Sequence, residues 1–141
     1  MYLASVADAS RIVKRHLAEG RSVVLDRYLL STQVYADFRG SKLAIDDAIS
    51  KVLCPADLTV FLDAPLALRR SRISKRACTV SVADAETLVD SADSLLREGY
   101  RRRFRLPIAG RVVEIDSSQF DIDEIANIVS AKLSQLRGEL E

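Results

Sequence analysis

The chain has 141 residues, a length that suits a single domain over 1–141, and 48% of them are hydrophobic, enough to build a core. Its 21 basic and 20 acidic residues leave a net charge of +1, so bulk charge argues for neither a nucleic-acid nor a membrane partner. Cys54 and Cys78 match no metal-ligand spacing, no apolar run approaches the ~20 residues of a membrane span, and no signal peptide is visible, so a cytoplasmic protein is expected.

The first predicted element is a helix over 4–19, with Val6, Ala9, Val13 and Leu17 on one stripe, His16 at its surface and Gly20 as its stop. Val23-Val24-Leu25 then reads as a short strand over 22–26, buried on both faces as in a parallel sheet, and running into Asp26-Arg27-Tyr28. A helix over 29–38 puts Ser31, Thr32 and Tyr35 near Arg27. Ser41 caps a further helix over 42–52, and Pro55 breaks the pattern.

Leu58 to Asp63 is a second strand, and Pro65 opens a helix over 65–74 that turns strongly basic. Residues 77–82 have no period and read as a loop. A long helix from Ala83 to Phe104 follows, with Leu88, Leu95 and Leu96 as core candidates. Gly99 weakens that helix by up to ~1 kcal/mol relative to Ala. Pro107 and Gly110 make a turn, Arg111 to Asp116 is a third strand, and Ile122 to Leu136 is an amphipathic closing helix. Strands separated by helices predict an α/β fold, a parallel sheet flanked by helices.

Each predicted strand ends in a carboxylate: Asp26, Asp63 and Asp116. In open α/β sheets ligands bind just beyond the carboxyl ends of the strands, so three such ends can face one crevice; the competing reading is three turn formers. Arg27 carries the planar fork that grips a phosphate bidentately, and Asp26 suits Mg²⁺, directly or through water. The alternative is an Asp26–Arg27 ion pair that closes the strand end. Arg69, Arg70, Arg72, Lys75 and Arg76 read either as a solvated face or as a lid, about 69–82, that neutralises transferring phosphates. Arg101, Arg102 and Arg103 read as a solvated helix end.

Asp26-Arg27-Tyr28 followed by Ser31, Thr32 and Tyr35 resembles the Asp-Arg-Tyr segment of bacterial thymidylate kinases, P-loop nucleoside monophosphate kinases. The order around it is similar too. Ala18-Glu19-Gly20 precedes it, and Pro55-Ala56-Asp57 leads into the strand ending at Asp63. An arginine-rich lid, a long helix reaching Tyr100, and Ile115-Asp116-Ser117-Ser118 follow. The resemblance implies phosphoryl transfer from ATP to dTMP, giving dTDP, with Mg²⁺. It makes Arg27 the ligand of the acceptor phosphate, Asp26 the support of the magnesium site, and Arg70 and Arg72 the lid arginines. Tyr28 would belong to the substrate pocket, Thr32 would lie near the base, and Tyr35 would crowd a 2′-hydroxyl. Asp116, Ser117 and Ser118 would border the adenine.

The chain departs from that pattern in one respect above all. Gly20, Gly40, Gly99, Gly110 and Gly138 are its only glycines, and no two of them form a G-x-x-x-x-G-K-S/T phosphate loop. Met1 and Ser5 stand where the family has a base-stacking aromatic and a base-reading arginine. The resemblance therefore implies the C-terminal portion of a truncated kinase, missing the first strands of its P-loop fold and inactive without the loop. Two other readings stay open: a non-catalytic remnant or split-kinase half acting through protein contacts, and a kinase for another nucleoside or nucleotide. Besides nucleotide substrates, the expected partners are a second copy in a homodimer or a complementing phosphate-loop polypeptide.

Overall fold

The helices form where local chemistry starts and stops them. In the computed structural model, which describes residues 2–41, 51–76 and 82–140, the first helix, α1, spans Tyr2–Ala18. It ends at Gly20, whose φ of +74° suits a residue without Cβ. The Gly20 N–H donates to Leu17 O and the Arg21 N–H to His16 O, the paired bonds of a Schellman stop. The second helix, α2 (Leu29–Phe38), repeats the device at Gly40, with Gly40 N–H on Asp37 O and Ser41 N–H on Ala36 O. The predicted helix over 42–52 falls mostly outside the described residues.

By its internal contacts the chain divides into two units. The first comprises residues 1–56 and 95–110. Its core is Val6, Leu29, Leu53 and Ile108, with Leu3, Tyr28 and Leu30 packed on them. Full burial of a side chain such as Leu29, only 1% exposed, is worth about 1.5–3 kcal/mol. The buried stripe of α1 is Val6, Ser10 and Val13, whereas Leu17, expected inside, is largely exposed. Ser10 is tolerated there because its Oγ accepts the Cys54 N–H at 2.7 Å.

The segment after Gly20 overturns one expectation. Residues 21–25 have no regular secondary structure and join no ladder; Val24 is 92% exposed and Leu25 42%. Three apolar residues have the propensity for a strand, but a strand exists only through a partner, and none pairs with this one among the described residues.

The second unit comprises residues 57–94 and 111–141. It holds the sheet, two parallel strands rather than three. β1 (Leu58–Asp63) and β2 (Arg111–Asp116) pair in register from Leu58 opposite Arg111 to Asp63 opposite Asp116. Parallel pairing needs a crossover, and the chain between the strands is mostly helical. α3 (Leu66–Ser74) starts after Pro65, as predicted. The single helix expected over 83–104 is broken into α4 (Val82–Thr87) and α5 (Asp90–Arg103). At the break the Leu88 carbonyl accepts two bonds from the Arg70 guanidinium, at 2.9 and 2.7 Å, which satisfies a group that a continuous helix would have paired. Asp90 and Asp93 then sit in the first turn of α5, where the helix dipole favours negative charge.

A 3₁₀ turn over Pro107–Ala109 and Gly110 at φ +60° lead into β2. The last helix, α6 (Ile122–Leu140), outlasts its predicted end at Leu136. Its start is a capping box: Glu124 Oε2 accepts the Asp121 N–H and Asp121 Oδ1 accepts the Glu124 N–H, both at 2.8 Å. Its end is tied back by Arg111, whose two nitrogens meet the Glu139 carboxylate at 3.2 and 3.1 Å. Among the described residues no helix is long and apolar enough to cross a membrane. The result is a helix-rich α/β chain with a small parallel sheet.

Candidate functional site

The first unit gathers its chemistry where the segment after Gly20 meets α2. Arg27 has φ +66°, the single positive φ outside glycine among the described residues. That conformation costs an ordinary residue about 1–2 kcal/mol, and such strain concentrates at functional sites. It turns the chain sharply into α2. Tyr28 occupies the N-cap position without a side-chain hydrogen bond, so no capping side chain occupies the first N–H groups of the helix. An uncapped helix start beside a guanidinium favours an anion.

Arg27 is held in place by an aromatic partner. Its Cζ lies 5.2 Å from the centre of the Tyr35 ring, a cation–π distance. Partial burial works against the charge of Arg27. The phenols of Tyr35 and Tyr100 together with Asp26 outweigh it, so the guanidinium is held above its ordinary pKa. Tyr100 comes from α5, and its Oη donates to Ser31 Oγ at 3.0 Å. Burial pushes the Tyr100 phenol up from 10.0, and Tyr35 adds to that; the charge on Arg27 pulls the other way without cancelling it.

Tyr100 can reach Ser31 because α5 approaches α2 closely at a glycine. A Cβ on Gly99 would stand 3.1 Å from Val34 Cγ1. The helix-weakening glycine of the sequence thus lies at a tight helix contact. Arg103 adds an ion pair to Asp37 and a 3.0 Å bond to the Gly99 carbonyl. It is mostly buried, so it does not belong to the solvated helix end expected of Arg101 to Arg103.

The other expected residues of this unit are placed as follows. Thr32 donates its hydroxyl proton back to Tyr28 O at 3.2 Å. The Tyr28 ring packs on the core, and its buried hydroxyl has no partner among the described residues. Asp26 is exposed beside Arg27. Among the described residues no three His, Cys, Asp or Glu side chains gather as a metal set. One exposed carboxylate nevertheless fits Mg²⁺, which keeps most of its waters and takes one or two carboxylates together with substrate phosphates.

In the second unit the strand-end carboxylates fold back on their own turns. Asp63 Oδ1 accepts the Ala64 N–H at 2.8 Å. Asp116 Oδ1 accepts the Ser118 N–H at 2.9 Å and its hydroxyl at 2.6 Å. The arginines of α3 have partners. Arg72 donates to Ser117 Oγ and to Ser117 O, at 3.0 and 2.7 Å, and so joins α3 to the end of β2. Arg69 pairs with Asp93, and Arg70 adds Asp90 at 3.5 Å to its bonds on Leu88. Carboxylates and carbonyls thus offset the charges of Arg69, Arg70 and Arg72. Residues 77–81 of the expected lid lie outside the described residues.

The pair that sequence reasoning missed is Tyr100 and Ser31. Its one signal was the glycine before Tyr100 inside an otherwise regular helix. A family model described as thymidylate kinase matches residues 1–127. A curated thymidylate kinase from Baumannia cicadellinicola subsp. Homalodisca coagulata is 30% identical over 125 residues, which are 84% of this chain and 56% of that protein. The chain thus spans little more than half the length of that relative. No solved structure matches.

Proposed function

The chain belongs to the thymidylate kinase family, and from that membership we propose that its first unit carries the acceptor site of a phosphoryl transfer from ATP to dTMP, giving dTDP. The observation that supports this most is Arg27. Its guanidinium, packed on Tyr35 and carried by a residue of strained backbone, stands before the uncapped start of α2, where a phosphate monoester finds both opposite charge and hydrogen-bond donors.

In this reading Arg27 grips the acceptor phosphate with its fork. Tyr35, packed against that guanidinium, fills the space a 2′-hydroxyl would need. Thr32 lies toward the base, its oxygen lone pairs left free to accept because its proton goes to Tyr28 O. Tyr28 anchors the turn through the core. Asp26 holds Mg²⁺ through water, and bound there the ion neutralises charge on the phosphates. Arg70 and Arg72 are the lid cations that offset charge on the transferred group, and Asp116, Ser117 and Ser118 border the adenine. The donor phosphates need a glycine-rich loop that these 141 residues do not contain, so turnover requires that loop to be supplied.

A second reading draws on Val23, Val24 and Leu25. An unpaired apolar segment of strand propensity with Val24 so exposed is suited to pairing with another chain, as one half of a split kinase would, or a remnant bound to a full-length kinase, or a homodimer. Mixing with a separate phosphate-loop polypeptide separates the two. Restored dTMP turnover supports the kinase site and the split form together; association without turnover supports a non-catalytic partner. For the acceptor itself, titration with dTMP and with its ribose counterpart tests Tyr35. The deoxy form is expected to bind more tightly, and equal binding would point to a kinase for another nucleotide.

A further inference from the structure

Ser31 and Tyr100 have no role in the reading above, yet their geometry is specific. Ser31 lies in the first turn of α2, four positions after Arg27. A serine hydroxyl has one proton to give and two lone pairs to receive with. One lone pair is taken by Tyr100 Oη at 3.0 Å, and the Ser31 proton has no acceptor among the described residues. Tyr100 is not free to swing away. It follows Gly99, where a Cβ would stand 3.1 Å from Val34 Cγ1, and it precedes Arg103, which is bonded to Asp37 and to the Gly99 carbonyl. Ser31, Val34 and Asp37 are spaced by threes, so three contacts with α5 run along one face of α2.

We propose that Tyr100 is a positioning residue of the acceptor site: by donating to Ser31 Oγ it directs the Ser31 proton to the phosphate oxygen that Arg27 leaves uncovered. Ser31 is then a further phosphate ligand, between the guanidinium and the N–H groups of the first turn. Donation from Tyr100 also polarises the Ser31 hydroxyl and strengthens the bond it gives. The inference rests on the acceptor-site reading, because it takes a phosphate monoester at Arg27 as its premise.

The test is calorimetric titration of the full chain and of Tyr100→Phe, Ser31→Ala and the double variant, with dTMP and with thymidine, beside thermal melting. Tyr100→Phe keeps the ring and removes only the donor. It is expected to weaken dTMP binding about tenfold, the scale of one charge-assisted hydrogen bond, and to leave thymidine binding unchanged. Ser31→Ala is expected to match it, and the double variant to be no worse than Ser31→Ala alone. A lower melting temperature with an unchanged ratio of dTMP to thymidine affinity would make the pair purely structural and overturn the inference. So would effects that multiply in the double variant. If the unmodified chain binds dTMP no better than thymidine, the acceptor-site reading itself fails; if it prefers dTMP and Tyr100→Phe keeps that preference, only the inference fails.

Discussion

The guanidinium carbon of Arg27 stands 5.2 Å from the centre of the Tyr35 ring, which ties the strained residue ahead of α2 to the second turn of that helix. The strain and the function can be separated by mutation. Glycine adopts φ +66° at no cost, whereas alanine keeps the penalty. Arg27→Gly is therefore expected to be more stable than Arg27→Ala by about 1 kcal/mol in denaturant titrations, while both lose any preference for a phosphorylated ligand. Equal stability of the two would mean that the backbone relaxes there and stores no strain.

Gly99 makes an opposite case, in which the smaller residue is required. Alanine is favoured over glycine by up to ~1 kcal/mol inside a helix, but overpacking of a close contact costs about 1–3 kcal/mol. Val34, which a new Cβ would meet at 3.1 Å, is only 2% exposed and has little room to yield. Gly99→Ala should thus destabilise the protein by about 1 kcal/mol, and adding Val34→Ala should remove the clash part of that loss. A stabilising Gly99→Ala would show that the helices can part cheaply.

Alkaline pH should expose the role of Tyr100. Folding raises its pKa above 10.0, so the folded state holds the proton that the unfolded chain has already begun to lose. The stability this supplies is complete below pH 10 and is lost as pH rises through the folded value. Arg27, held above its ordinary pKa, keeps its charge across that range. Melting temperature against pH, followed with phenolate absorbance, should fall above pH 10 in the unmodified chain and fall less in Tyr100→Phe. Identical profiles would mean that the Tyr100 phenol is not buried against Ser31.

Much of the helical framework was legible from local signals. Gly20 stops α1, the span Leu29–Phe38 was predicted to the residue, and Pro65 and the strands ending at Asp63 and Asp116 stand where patterning puts them. The misses share one physical cause, a partner distant in sequence. Val23-Val24-Leu25 has strand propensity, but propensity names no neighbour, and the ladder formed instead between Leu58–Asp63 and Arg111–Asp116. The break after α4 depends on Arg70 reaching Leu88, and helix-forming residues on both sides concealed it. Ser10 is buried because of the backbone N–H of Cys54, and Tyr100 meets Ser31 across 69 positions of chain. Gly99 was readable as a cost but not as the reason for it.

The most direct measurement is a calorimetric titration of the unmodified chain and of Arg27→Ala with dTMP and with thymidine. The account predicts that the chain binds dTMP at least about tenfold more tightly than thymidine, as one charge-assisted contact requires, and that Arg27→Ala erases the difference while its circular dichroism is unchanged. Equal affinity for the two ligands, or a preference that survives the loss of Arg27, would contradict it.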